Sequence, residues 1–200
     1  VHAIEAFTAI DAAEMPPGNA YSGRTPLTDA LAEQAISLVG KYLVRAVEVA
    51  DDLEAREGMA TAALLAGMAF SNAGVAVVHA LEYPLGGALH CSHGGGNGML
   101  LPFVMRFNLQ VRQETFARIA MLLGEQTTDF APEDAAERAI VAVENLRGRI
   151  GIPGSIRQLG GRKNQLAAFA EKAFAVKRLM QVNPRPVTLA DLKAILRSAF

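Results

Sequence analysis

Two hundred residues, 51% of them hydrophobic, are enough for a sizeable core, and a net charge of −1 offers no basic face to nucleic acid or an anionic membrane. The single cysteine, Cys91, excludes an internal disulfide framework, and no apolar run reaches the length of a membrane span. With no visible signal peptide, these features point to a cytoplasmic protein.

Abundant alanine and the near absence of strand-type alternation predict an all-α fold, a multi-helix bundle. His2 to Phe7 already reads as helix interior, so a first helix runs from the start to about Ile10, and the sequence is expected to be a piece of a longer chain. A turn-rich loop with Pro16, Pro17, Gly18, Asn19 and Gly23 follows. Thr25 then reads as an N-cap with Pro26 at the first helical position, opening a helix to about Ala50 in which Gly40 is a candidate interruption. Asp51 is the expected cap of a third helix ending near Ser71-Asn72. Its small and apolar residues, Ala60 to Ala69, fall on nearly every face, which predicts a central helix surrounded by others.

A fourth helix starts after Gly74 and carries His79, and Pro84 with Gly86-Gly87 should kink or end it. Further helices are expected at Asn97 to Leu109, Arg112 to Leu123, Pro132 to Arg149, Asn164 to Met180 and Leu189 to Ala199. Thr188 and Asp191 form a variant capping box for the last. Residues 1–200 thus read as one helical domain. No glycine-rich strand–turn–helix fingerprint for a dinucleotide occurs, since Gly94-Gly95-Gly96 follows histidines and not a strand.

The four histidines are His2, His79, His90 and His93, three of them within HALEYPLGGALHCSHGGG. Imidazole is the commonest nitrogen ligand for first-row metals at neutral pH, and a turn between two helices would let two rings converge. Spacing alone leaves the alternatives open. His79 reads equally as a core histidine bonded to a carbonyl, and His90 and His93 as exposed loop residues.

Phe70-Ser71-Asn72-Ala73-Gly74, Val78-His79, Pro84-Leu85-Gly86, His93-Gly94, Leu100-Leu101-Pro102 and Met105-Arg106-Phe107-Asn108 resemble, in order and in the step from His79 to His93, the second signature of the iron-containing alcohol dehydrogenase family. His2 to Phe7 resembles the tail of its first signature. Pro26 to Ala32 and Asn183-Pro184-Arg185 with Thr188 and Asp191 also fit, so the resemblance spans nearly the whole chain. It implies the dehydroquinate-synthase-like C-terminal helical domain of these enzymes. It also implies a metal held by three histidines, at His2, His79 and His93, and by one aspartate. That aspartate's position falls before Val1, so the site within this sequence is expected to be incomplete. The resemblance further implies that the N-terminal nucleotide-binding domain, which holds most of the NAD or NADP, is absent from this chain. The intact protein would be a homo-oligomer acting on a small alcohol or aldehyde.

Phe70 matches a position lining the cofactor and substrate pocket in relatives, and reads equally as a core residue. Tyr83 stands where many members carry a further histidine near the nicotinamide, so it is a candidate for cofactor binding and proton relay, or a ring against the pocket wall. His90 has no counterpart among the ligands. Iron is the expected metal, although imidazole donors equally admit zinc, cobalt or nickel. Such a metal would act as a Lewis acid during hydride transfer between the alcohol and the nicotinamide.

The loop from about Asp11 to Thr25 resembles an insertion relative to the shortest members, and Tyr21-Ser22-Gly23-Arg24, ahead of Pro26-Leu27-Thr28-Asp29, is similar to the branch containing hydroxyacid–oxoacid transhydrogenases. That branch often carries a longer segment between the two histidines, which is absent here, and the subfamily stays open. Rival readings are a maleylacetate reductase, a dehydroquinate-synthase-like cyclase and a non-enzymatic helical interaction domain. The three matching histidines count against the metal-free reductases.

Overall fold

In the computed structural model, which describes residues 1–128 and 130–200, the chain is all helical. The described residues form ten α-helices: α1 His2–Thr8, α2 Pro26–Glu48, α3 Leu53–Ala73, α4 Val77–Leu89, α5 His93–Asn108, α6 Gln113–Leu122, α7 Pro132–Arg149, α8 Leu166–Ala175, α9 Lys177–Val182 and α10 Leu189–Ser198. Among these residues the only β feature is one isolated bridge, Asp11 with Arg24, inside the loop that joins α1 to α2.

The centre of the molecule is α1 with the first half of α4. Ala3 through Thr8 are all buried, and α1 packs against α2, α3 and α6. Val77 through Glu82 are buried as well, and α4 packs on α5, α8 and α9. The central position expected for α3 is not observed. Ala55, Ala62, Ala69 and Ala73 make a buried stripe along one face, while Leu64 is 65% exposed and Met68 47%. Alanine on the buried face permits close approach to α2 but carries no information about the opposite face. The all-round apolar pattern therefore misled.

Gly74 turns the chain from α3 into α4, whose axes meet at 108°. Its φ of 102° is one that side-chain-bearing residues avoid, and a Cβ there would fall 2.8 Å from the Tyr21 ring. This corner aims His79, two residues inside α4, at α1.

Other boundaries differ from expectation for identifiable reasons. Asp52, not Asp51, caps α3, its Oδ1 accepting from Ala55 N–H at 3.0 Å. Pro84 and Gly86-Gly87 neither kink α4 to a stop nor end it: the helix continues to Leu89 and closes at His90, in the left-handed region at φ 53°. Leu81 and Leu85, both fully buried, hold α4 to the core across the proline. α5 begins at His93 rather than Asn97, because Ser92 caps it by accepting from Gly95 N–H at 3.2 Å. His93 is thus a first-turn helical residue, not a loop histidine. The helix expected from Asn164 to Met180 is divided at Val176, where ψ reaches 68°. The break lets Leu179 and Val182 join the core. No single helix among the described residues is long and apolar enough to cross a membrane.

Candidate metal centre

Three helices deliver one imidazole each: α1 supplies His2, α4 supplies His79 and α5 supplies His93. One nitrogen from each ring lies within 4.8 Å of the other two. The ring centroids are 4.6 Å apart for His2 and His79 and 5.2 Å for His79 and His93. His79 is buried, at 2% exposure, whereas the His93 side chain is 52% exposed, so the cluster is closed on one side and open on the other.

Two carboxylates stand behind the rings. Glu5, one turn along α1 from His2, accepts from Val78 N–H with Oε1 at 2.8 Å and shares a hydrogen bond with His79 Nδ1 through Oε2. The first contact satisfies one of the orphan amides that open α4, which has no side-chain cap of its own. Glu82, one turn along α4 from His79, places Oε2 within hydrogen-bond distance of His93 Nδ1, at 2.6 Å. Both are nearly inaccessible, and a buried carboxylate is tolerated only where hydrogen bonds replace its water. The Asn97 amide nitrogen lies 3.0 Å from His93 Nε2.

The cluster suits a cation on its own chemistry. Buried His79 Nε2 has no hydrogen-bond partner among the described residues, and an orphaned ring nitrogen is costly unless something else fills its valence. Burial, reinforced by the His79 imidazole alongside, pushes the His2 pKa down to about 4. His2 is therefore a neutral ring with a free lone pair at neutral pH, which is the state a metal requires.

The remaining sequence-predicted residues fall around this point. Phe70, on α3, stacks on the His2 ring at 4.2 Å and 18°. Tyr83 lies at the open edge, 41% exposed, its ring 6.3 Å from His93 and 6.4 Å from His79. Burial of the remainder of the ring raises its hydroxyl pKa. His90 is exposed at the end of α4 and takes no part. An apolar cavity of about 260 Å³ borders His2 and His93, walled by Val39, Leu43, Leu123 and Leu146, with Asn97 and Arg147 as its polar residues.

Glu5, Glu82 and Asn97 were not singled out from the sequence. The available signal was the placement of Glu5 and Glu82 within otherwise apolar helical stretches, HAIEAF and VVHALEY. A charge on such a face needs a buried partner, and each glutamate sits three residues after a histidine.

Comparison with known proteins agrees with this architecture. The Fe-containing alcohol dehydrogenase family, C-terminal, matches residues 1–200. The chain is 40% identical over 199 residues to the NAD-dependent methanol dehydrogenase of Bacillus methanolicus, covering 100% of this chain and 49% of that protein. It is 43% identical over 199 residues to the 1,3-propanediol dehydrogenase of Klebsiella pneumoniae, covering 100% and 48%. The crystal structure of a 1,3-propanediol oxidoreductase superposes with a TM-score of 0.90 at 42% identity, covering 100% of this chain and 49% of that one. The chain thus spans about half the length of the relatives it matches. With the family match running over residues 1–200 and the helical architecture superposing over the same span, the chain belongs to the iron-containing alcohol dehydrogenase family as the family's C-terminal region.

Proposed function

We propose that His2, His79 and His93 hold a divalent metal, and that this region is the metal-holding half of an alcohol dehydrogenase that uses NAD or NADP. The observation that carries the reading is the convergence of three imidazole nitrogens within 4.8 Å around a buried, unpartnered His79 Nε2. Iron is the proposed occupant and zinc its competitor, since imidazole accepts both. When bound, such a cation supplies Lewis acidity toward a substrate oxygen, while the nicotinamide carries the hydride.

The chain's own residues supply position. His79 is the fixed donor at the closed side, and its burial excludes water there. Phe70 holds the His2 ring in plane by stacking on it. Tyr83, whose raised pKa keeps its proton in place at neutral pH, stands at the open edge as a hydrogen-bond donor to substrate or nicotinamide. The similar methanol and 1,3-propanediol dehydrogenases favour a small primary alcohol or diol as substrate. The nicotinamide is held mainly outside this region, in an enzyme that works as a homo-oligomer.

Anaerobic titration of the metal-free chain with Fe²⁺ and Zn²⁺ tests the reading. Metal binding that His79→Ala abolishes is expected, with no alcohol turnover when NAD is added to the chain alone. Unchanged metal content in a destabilised His79→Ala variant would instead favour a helical interaction domain. Robust turnover by these residues alone would contradict the half-site assignment.

A further inference from the structure

We propose that Glu5 and Glu82 are positioning residues that dictate which nitrogen of His79 and of His93 faces the metal, and that Glu5 does so with no tolerance for its own amide. This rests on the metal reading of the three histidines.

A neutral imidazole carries one proton and one lone pair, and whichever nitrogen donates to a neighbour leaves the other free to ligate. An ionised carboxylate offers acceptors only. Glu5 Oε2 against His79 Nδ1 therefore keeps the proton on Nδ1 and turns the Nε2 lone pair toward the cluster, where that atom is buried and without a partner. Glu82 Oε2, 2.6 Å from His93 Nδ1, likewise holds the proton there and leaves the lone pair on Nε2, where the Asn97 amide nitrogen lies 3.0 Å away. Such outer carboxylates orient a ring and raise its basicity, and removing one typically lowers metal affinity about 10–100-fold.

The two sites differ in one respect. The second oxygen of Glu5 accepts from Val78 N–H at 2.8 Å, and a backbone amide cannot become an acceptor. In Glu5→Gln the single carbonyl oxygen must serve Val78, so the amide –NH₂ faces His79 Nδ1. That nitrogen must then accept, the proton moves to Nε2, and the ligating lone pair is lost. Glu82 makes no backbone hydrogen bond among the described residues, and its Oε1 lies against Gly86. In Glu82→Gln the carbonyl is free to turn toward His93 and preserve the tautomer.

The clearance for Glu82 is built by two glycines. A Cβ on Gly86 would overlap Glu82 Oε1, and one on Gly96 would lie 2.9 Å from its Cγ. The Pro84-Leu85-Gly86 and His93 to Gly96 stretches therefore make room for a buried carboxylate between α4 and α5.

Two-dimensional ¹H–¹⁵N NMR of the histidine side chains in the metal-free chain, with Co²⁺ affinity by chelator competition, tests the proposal. Wild type is expected to show the Nδ1–H tautomer at His79 and His93. Glu5→Gln should switch His79 to Nε2–H and lose about 10–100-fold in Co²⁺ affinity. Glu82→Gln should keep the His93 tautomer and most of the affinity, and Glu82→Ala should lose both. An Nε2–H tautomer at either ring of wild type overturns the proposal without any variant having to fold. Equal behaviour of the two glutamine variants overturns the asymmetry. Absence of Co²⁺ binding by wild type would end the metal reading and the affinity claim with it, while the tautomers still decide whether the carboxylates orient the rings.

Discussion

Asn108 and Asn183, 75 positions apart in the chain, exchange two amide hydrogen bonds at 3.0 and 2.9 Å. The pair joins the end of α5 to the exit from α9, and Asn183 also donates to Arg185 O at 2.8 Å. Both asparagines lie in motifs that carry the family resemblance, and their contact accounts for them by folding and not by chemistry. Asn108→Leu leaves the buried Asn183 amide short of both a donor and an acceptor. Urea denaturation is expected to show a loss of about 1–3 kcal/mol. Metal affinity should remain that of wild type, and a selective loss of metal would assign the pair to the site instead.

Gly86→Ala sets two effects against each other. Alanine stabilises a helix interior by about 1 kcal/mol relative to glycine. The added Cβ, however, collides with a Glu82 carboxylate that is buried and already bonded to His93. The melting temperature should therefore move little, while affinity for Co²⁺ falls. Retained affinity with raised stability would mean that Glu82 relocates freely.

Phe70→Ala removes the ring stacked on His2. Aromatic pairs of this kind contribute about 0.5–1.5 kcal/mol beyond buried area. The variant should fold, with His2 sampling several orientations and metal binding weakened by about tenfold, the size of that stacking contribution. Histidine side-chain line widths and calorimetric titration would report both. Unchanged affinity would limit Phe70 to packing or to cofactor contact.

The capping box of α10 gives a pH dependence with a definite sign. Asp191 Oδ2 accepts from Thr188 N–H at 2.9 Å and from Thr188 Oγ1 at 2.6 Å, which holds its carboxyl below the ordinary value of 3.8. A carboxylate depressed in the folded state contributes stability that is complete above its unfolded value and is lost as pH falls through the lower folded one. Asp191→Asn should therefore be less stable than wild type at neutral pH, with the gap closing below the carboxylate range. Thr188→Ala, which removes the hydroxyl cap, should cost about 0.5–2 kcal/mol at neutral pH. A gap that widens on acidification would be inconsistent with the box.

Local chemistry made much of this protein readable as a string of residues. Thr25-Pro26 opens α2, Thr188 with Asp191 opens α10, and Pro132 to Arg149 is a helix because caps, prolines and 3.6-residue spacing act within a few positions. The order of His2, His79 and His93 with their surrounding motifs was legible through resemblance to a family, and with it the expectation that they share a metal. The geometry of their meeting was not. Only the Gly74 corner and the packing of α1 against its neighbours bring the three rings together, and no spacing encodes a distance between histidines 77 residues apart. Tertiary structure likewise decided that α1 and not α3 is central, that α4 runs past Pro84, and that Glu5 of one helix caps another while orienting its histidine. Each is settled by contacts between segments distant in the chain. There, burial and the need to satisfy every buried polar group outweigh local preference.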